Sequence, residues 1–152
     1  MKKILFGFIF VALLASESQG LPSLRIGEGS LMQPDGTAAA REGLSREYYD
    51  DGVLKRETNF RDGQVHGPCR LYYKEGGLRK QVNYEEGILQ GKAFELYENG
   101  HYKVESNYID GKADGESKIY YENGNLYKLL VFESGQLVKS FVLDAAGRSV
   151  KY

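Results

Sequence analysis

Glycine recurs in this chain with a fixed period of 24 residues, and that period leaves few folds open. Gly43, Gly67, Gly91 and Gly115 form one column. Gly52, Gly76, Gly100 and Gly124 form a second, and Gly63, Gly87, Gly111 and Gly135 a third. Tyr49, Tyr73, Tyr97 and Tyr121 keep the same step without exception. Phe60, Tyr84, Tyr108 and Phe132 add an aromatic column, and Leu54, Leu78, Tyr102 and Leu126 an apolar one. Six columns in register over four copies mark a tandem repeat, which is read before any local feature. The three glycine columns hold 12 of the 19 glycines, so the high glycine content is punctuation.

Each copy carries two turn signals. Asp50-Asp51-Gly52, Glu98-Asn99-Gly100 and Glu122-Asn123-Gly124 stand at one place, and Arg61-Asp62-Gly63 and Ile109-Asp110-Gly111 at the other. Asn-Gly and Asp-Gly accept the positive φ values that tight hairpins need. The turns alternate at spacings of 11 and 13 residues, leaving strands of about five to seven residues and no helical period. The repeat is therefore predicted to be a β-hairpin, giving an all-β chain of eight strands in four copies. Strict alternation puts Leu54, Thr58 and Phe60 on an apolar side, with Leu78, Val82 and Tyr84 matching them. Lys55, Glu57 and Asn59 then fall on a solvated side, as do Arg79, Gln81 and Asn83, and Lys103, Glu105 and Asn107. Four such hairpins make an elongated single-layer antiparallel sheet on the order of 40 Å long, held by contacts between neighbouring repeats.

The repeats are assigned to residues 43–66, 67–90, 91–114 and 115–138. After them, residues 139–152 are expected to form a C-terminal cap strand. Its turn glycine, Gly147, comes one residue earlier than the period would place it. Leu129 to Phe132 and Phe141-Val142-Leu143 are apolar on both sides, which makes the latter a candidate exposed edge. Residues 21–42 fall outside the register and are assigned as a linker or N-terminal cap.

Residues 1–20 read as an export address. Lys2 and Lys3 precede an apolar run from Ile4 to Ala15, followed by small and polar residues, the three regions of a secretory signal peptide. Twelve apolar residues span about 18 Å as a helix, against about 30 Å of hydrocarbon, so a membrane anchor fits less well. Ala15, Ser18 and Gly20 are all acceptable ends of the cut segment. The expected location is the periplasm or the outside of a bacterial cell. Losing Lys2, Lys3 and Glu17 would change the net charge from −1 to −2. With no basic field, nucleic acid is not an expected partner, and an anionic membrane surface is not favoured.

The pattern Tyr-Tyr-x-x-Gly-x-Leu, then an aromatic, then x-x-Gly-x-x-x-Gly, is carried here by Tyr72, Tyr73, Gly76, Leu78, Tyr84, Gly87 and Gly91. It resembles the MORN repeat, closest to the bacterial MORN-variant form found in the YwqK-type family labelled as antitoxins. The resemblance implies an elongated sheet of hairpins, a scaffold that binds other proteins, and in some members contact with phospholipid. An antitoxin acting on a cytosolic toxin would need no export signal, which weakens that label for this chain.

No catalytic, cofactor or metal constellation is expected. Cys69 stands in a small-residue column with Ser45, Ala93 and Ser117 and has no matching histidine. His66 and His101 are unrelated in register and are expected at the surface. The acids Asp50, Asp51, Glu75, Glu98 and Glu122 sit at turns, and calcium-loop spacing is absent. Candidate binding residues are Tyr48, Tyr72 and Tyr120, because tyrosine supplies contact area at low entropic cost. Phe141, Val142 and Leu143 join them as a candidate edge. The leading expectation is an exported, non-catalytic scaffold for a protein partner, with homo-oligomers through edge strands. The alternatives are an immunity-like toxin inhibitor and a membrane-surface or glycan binder.

Overall fold

A computed structural model describes residues 42–144 and 147–150, and the assignments made for residues 1–41 lie outside them. The described chain is all β, a single open antiparallel sheet of twelve strands with no helix. In chain order they are β1 Gly43–Tyr48, β2 Leu54–Arg61, β3 Gln64–Tyr72, β4 Leu78–Glu85, β5 Ile88–Leu89 and β6 Gly91–Leu96. They continue as β7 Tyr102–Ile109, β8 Lys112–Ala113, β9 Gly115–Tyr120, β10 Leu126–Glu133, β11 Gln136–Leu143 and β12 Ser149–Val150. Gln90 separates β5 from β6, and Asp114 separates β8 from β9; each such pair matches the unbroken β3. Residues 43–138 thus supply eight strand positions and the start of a ninth, and β12 makes a tenth. Nine steps at about 4.8 Å give a ribbon about 43 Å across.

Two kinds of turn alternate. At one margin Tyr49 N donates to Val53 O at 2.8 Å and Gly52 N to Tyr49 O at 2.9 Å. The same pair of bonds recurs at Tyr73, Tyr97 and Tyr121, and once more at Asp144. At the other margin Asp62-Gly63, Glu86-Gly87, Asp110-Gly111 and Ser134-Gly135 all have two positive φ angles, the type I′ geometry that suits strand twist. Glu86 and Ser134 adopt it without an Asn or Asp side chain. Docking on the preceding repeat compensates them. Gly87 N donates to Val65 O, Gly111 N to Leu89 O and Gly135 N to Ala113 O at 2.8–2.9 Å. The preceding turn residue is also capped: Asp62 N donates to Glu42 Oε1, Glu86 N to His66 Nδ1, Asp110 N to Gln90 Oε1 and Ser134 N to Asp114 Oδ1. His66 is thus half-buried in a capping column rather than free at the surface, while His101 is exposed.

A β-bulge in every hairpin corrects the alternation. Glu47 faces Arg56 but Tyr48 faces Leu54, so Lys55 is the extra residue. Arg79, Lys103 and Tyr127 occupy the same place. Two consecutive residues then point to one face, and Leu54, Leu78, Tyr102 and Leu126 move to the side opposite Thr58 and Phe60. Plain period-two counting cannot see the shift. Lys55, Arg79 and Lys103 lie over the rings of Tyr49, Tyr73 and Tyr97 at 5.5, 6.0 and 5.8 Å. At the last bulge Tyr127 packs on Tyr121 at 4.9 Å.

One face of the sheet is packed. Cys69, Val82, Leu89, Ala93, Val104, Tyr108, Ala113, Leu130 and Phe132 form a single cluster, with Val104 and Leu130 at 0% exposure. Cys69 is buried beside Thr58, its Sγ 3.5 Å from Oγ1, as a small-residue site requires. Burial pushes the Tyr108 hydroxyl up to about 12. Successive repeats are tied by the invariant tyrosine column: Tyr49, Tyr73 and Tyr97 donate to the carbonyls of Tyr72, Leu96 and Tyr120 at 2.9, 2.6 and 3.0 Å.

Candidate functional site

The packed face carries two charged sites: Arg56 lies 3.7 Å from Glu47 in the first hairpin, and a more buried cluster stands between the second and third. Glu95, 7% exposed, lies opposite Lys80, 3% exposed. Lys103 Nζ approaches Glu95 Oε1 at 3.0 Å and Arg79 Nε at 3.9 Å. Buried charge persists only when paired, and this carboxylate has its cations around it. The cluster ties repeats two and three together. Among the described residues no three His, Cys, Asp or Glu side chains come together as a metal would need.

The opposite, open face is different. The bulges deliver one row of side chains to it across the whole sheet: Tyr48 faces Leu54, Tyr72 faces Leu78, Leu96 faces Tyr102, and Tyr120 faces Leu126. Leu143 of β11 completes the row. Each hairpin contributes one tyrosine and one leucine, and the third hairpin holds them in reversed order. All are partly accessible, with Tyr48 at 56% and Tyr102 at 45% exposure. Their side chains form a continuous stripe about 40 Å long at the strand spacing.

The reversal has a local result. Tyr102 comes within 6.3 Å of Tyr120, ring centroid to centroid, and meets Phe94 edge-on at 5.6 Å. Phe94 stands where the neighbouring repeats carry Arg70 and Lys118. Three aromatic rings are thus grouped at the middle of the open face. Tyr120 donates to Glu105 Oε2 at 2.5 Å and Tyr72 to Glu57 Oε2 at 2.9 Å. Burial, then the carboxylate beside each, pushes both phenols above their ordinary range. Both stay protonated donors, so each ring is pinned at its hydroxyl end. Glu57 also accepts from Arg46 Nε at 2.9 Å, with Arg70 Nη1 at 3.6 Å. The Arg46 bond, followed by that from Tyr72, holds the Glu57 carboxyl below its usual range.

Of the residues singled out from sequence, Tyr48, Tyr72, Tyr120 and Leu143 share the stripe, but Tyr72 and Tyr120 sit four strand positions apart, about 19 Å. Leu78, Leu96 and Tyr102 lie between them along the same stripe. Tyr49, Tyr73 and Tyr97 make the ties between repeats, and Gly52, Gly76, Gly100 and Gly124 take positive φ in the turns. Phe141 stands on the open face beside the stripe at 44% exposure. Val142 lies on the packed face, in line with Lys128. The proposed Phe141-Val142-Leu143 edge is covered at its end, because Val142 pairs with Val150 and Leu143 with Ser149. Phe94 and Tyr102 were missed. Their signal was present: Tyr102 is the one aromatic in the leucine column, and Leu96 the one non-tyrosine in the Tyr48, Tyr72, Tyr120 column.

A family model described as a MORN repeat variant matches residues 41–62, 65–86, 89–110 and 113–134, more than half of the chain. No curated protein matches. Among solved structures, the chain is similar to one of the Glycosylation Associate Protein (Gap123) complex from Streptococcus agalactiae, with 13% identity and a TM-score of 0.38. That match covers 82% of this chain and 23% of the other. A second, TarM, has 12% identity and a TM-score of 0.33 over 74% of this chain and 20% of that one. The chain spans about a quarter or less of either.

Proposed function

The chain belongs to the MORN repeat variant family, whose repeats serve as scaffolds, and from that premise we propose that it is an exported, non-catalytic adaptor for another protein. The observation that carries this reading is the half-exposed tyrosine–leucine stripe, with Phe94, Tyr102 and Tyr120 grouped at its middle. Rigid aromatic rings flanked by polar side chains are what the centre of a protein-binding surface needs. Pinning Tyr72 and Tyr120 at their hydroxyls lowers the entropy lost when a partner covers them. Residues 1–20 supply the export address, so the partner resides in the envelope or beyond it.

A photo-reactive phenylalanine analogue in place of Tyr102 tests the reading in the producing cell. One partner protein should crosslink at Tyr102, none at Lys112 on the turn margin, and the double variant Tyr102→Ser, Phe94→Ser should lose at least about tenfold in affinity. Equal crosslinking at both positions, or unchanged affinity of the double variant, would sink it. N-terminal sequencing of the mature chain checks export; an uncut Met1 would remove that part.

A further inference from the structure

We infer that the C-terminal end of the sheet is a self-association surface, and that its occupant is the β11 strand of a second copy of this chain. Two independent observations converge there. Among the described residues, β11 has β10 on one side, while on its outer side β12 covers only Val142 and Leu143. Among the described residues the stretch from Gln136 to Phe141 has no outer partner, with Val138 the extra residue of a bulge within it, and an unpaired edge is the usual template for strand addition. Beside that edge, two polar columns of the open face turn apolar. Leu129 stands in the column of Glu57, Gln81 and Glu105, and Val131 in that of Asn59, Asn83 and Asn107. Phe141 and Val138 are exposed at 44% and 43%. At the opposite edge β1 also exposes Leu44 and Tyr48 on this face, but the column of Leu129 holds Glu57 there, paired with Arg46 between them.

The geometry favours a second copy over a foreign strand. β11 paired antiparallel with itself about a two-fold axis continues the antiparallel sequence of the whole sheet and closes as a dimer. With the axis between Val138 and Lys139, Gln136 of each copy faces Phe141 of the other, and Leu137 faces Ser140. Beyond Gln136 the incoming chain turns away at Ser134-Gly135, both at positive φ. It therefore stops where β12 begins, whereas a strand running on past Phe141 would collide with β12. The arrangement leaves Phe94 and Tyr102 open and is independent of the partner reading.

Sedimentation equilibrium of the purified chain tests it. Twice the chain mass at about 100 µM is expected, and Phe141→Asp with Val138→Asp should weaken the dimer at least about tenfold while the β-sheet circular dichroism is retained. Val138→Cys should yield a covalent dimer on mild oxidation, and Leu44→Cys on β1 should not; Cys69 is buried and stays out of the reaction. A wild-type chain that remains monomeric would overturn the inference. So would equal crosslinking from β1 and β11.

Discussion

The first three hairpins and the last one are built on one plan and diverge at the same columns. The bulged residue is Lys55, Arg79 or Lys103 over a tyrosine ring in the first three, and Tyr127 on Tyr121 in the last. The open-face acid or amide becomes Leu129, and the asparagine becomes Val131. The glycine of positive φ at 67, 91 and 115 has no counterpart in β11, where Lys139 follows Val138 directly. One residue is therefore missing between Gln136 and Ser140. The register of β10 with β11 slips by one residue where the earlier hairpins slip by two, and this explains why Gly147 arrives one position early. Residues repeat where a strand must satisfy a repeat on both sides, and drift where one side is lost.

Four substitutions would break or sharpen that comparison. Tyr108→Ala, at 1% exposure in the middle of the core, should cost about 3–5 kcal/mol and shift the urea transition of the whole chain. Phe132→Ala should instead speed amide exchange in β10 and β11 while β1 to β4 keep their protection. Uniform loss of protection from Phe132→Ala would show that the last hairpin is not energetically separate. Gly91→Ala meets no atom within 4 Å but keeps a φ of +74°. Its expected cost is purely conformational, about 1–3 kcal/mol by chemical denaturation. In the last hairpin the sign of the glycine effect reverses. Lys139→Gly should lose about 0.5–1 kcal/mol, because there glycine only loosens a strand; a gain in stability would mean that β11 is strained by its deletion.

The smallest effect concerns pH. Glu57 is held below the usual carboxylate range by Arg46 and then Tyr72. A carboxyl lowered in the folded state stabilises fully above its unfolded pKa, about 4.3, and that contribution fades as pH falls through the lower folded value. Exchange of β1 to β3 amides should therefore rise as pH drops below about 4, corrected for the intrinsic rate. The β10 amides around Leu129, which replaces that acid, should not follow. Arg46 is half exposed, so the response should shrink in salt; one that persisted in salt would point to another group.

Much of this was readable from the chain. The 24-residue step, the two turn families and the hairpin unit follow from glycine, tyrosine and Asx placement, since those residues meet local backbone demands. The single open sheet and the packing role of Cys69 follow as well. The bulge does not, because one extra residue in a strand leaves composition unchanged and yet reverses which side Leu54 faces. That single slip hid the tyrosine–leucine stripe. It also made Lys55, Arg79 and Lys103 look like ordinary solvated residues. The capping column was equally opaque: Glu42, His66, Gln90 and Asp114 have only the ability to accept a hydrogen bond in common.

That capping column has a direction in time. Each turn at Asp62, Glu86, Asp110 or Ser134 takes its side-chain acceptor from a residue 20 positions earlier in the chain. A chain made from its N-terminus thus always has the acceptor available before the left-handed residue that depends on it. Growth of the sheet can proceed in the order of synthesis, each finished hairpin acting as the template for the next.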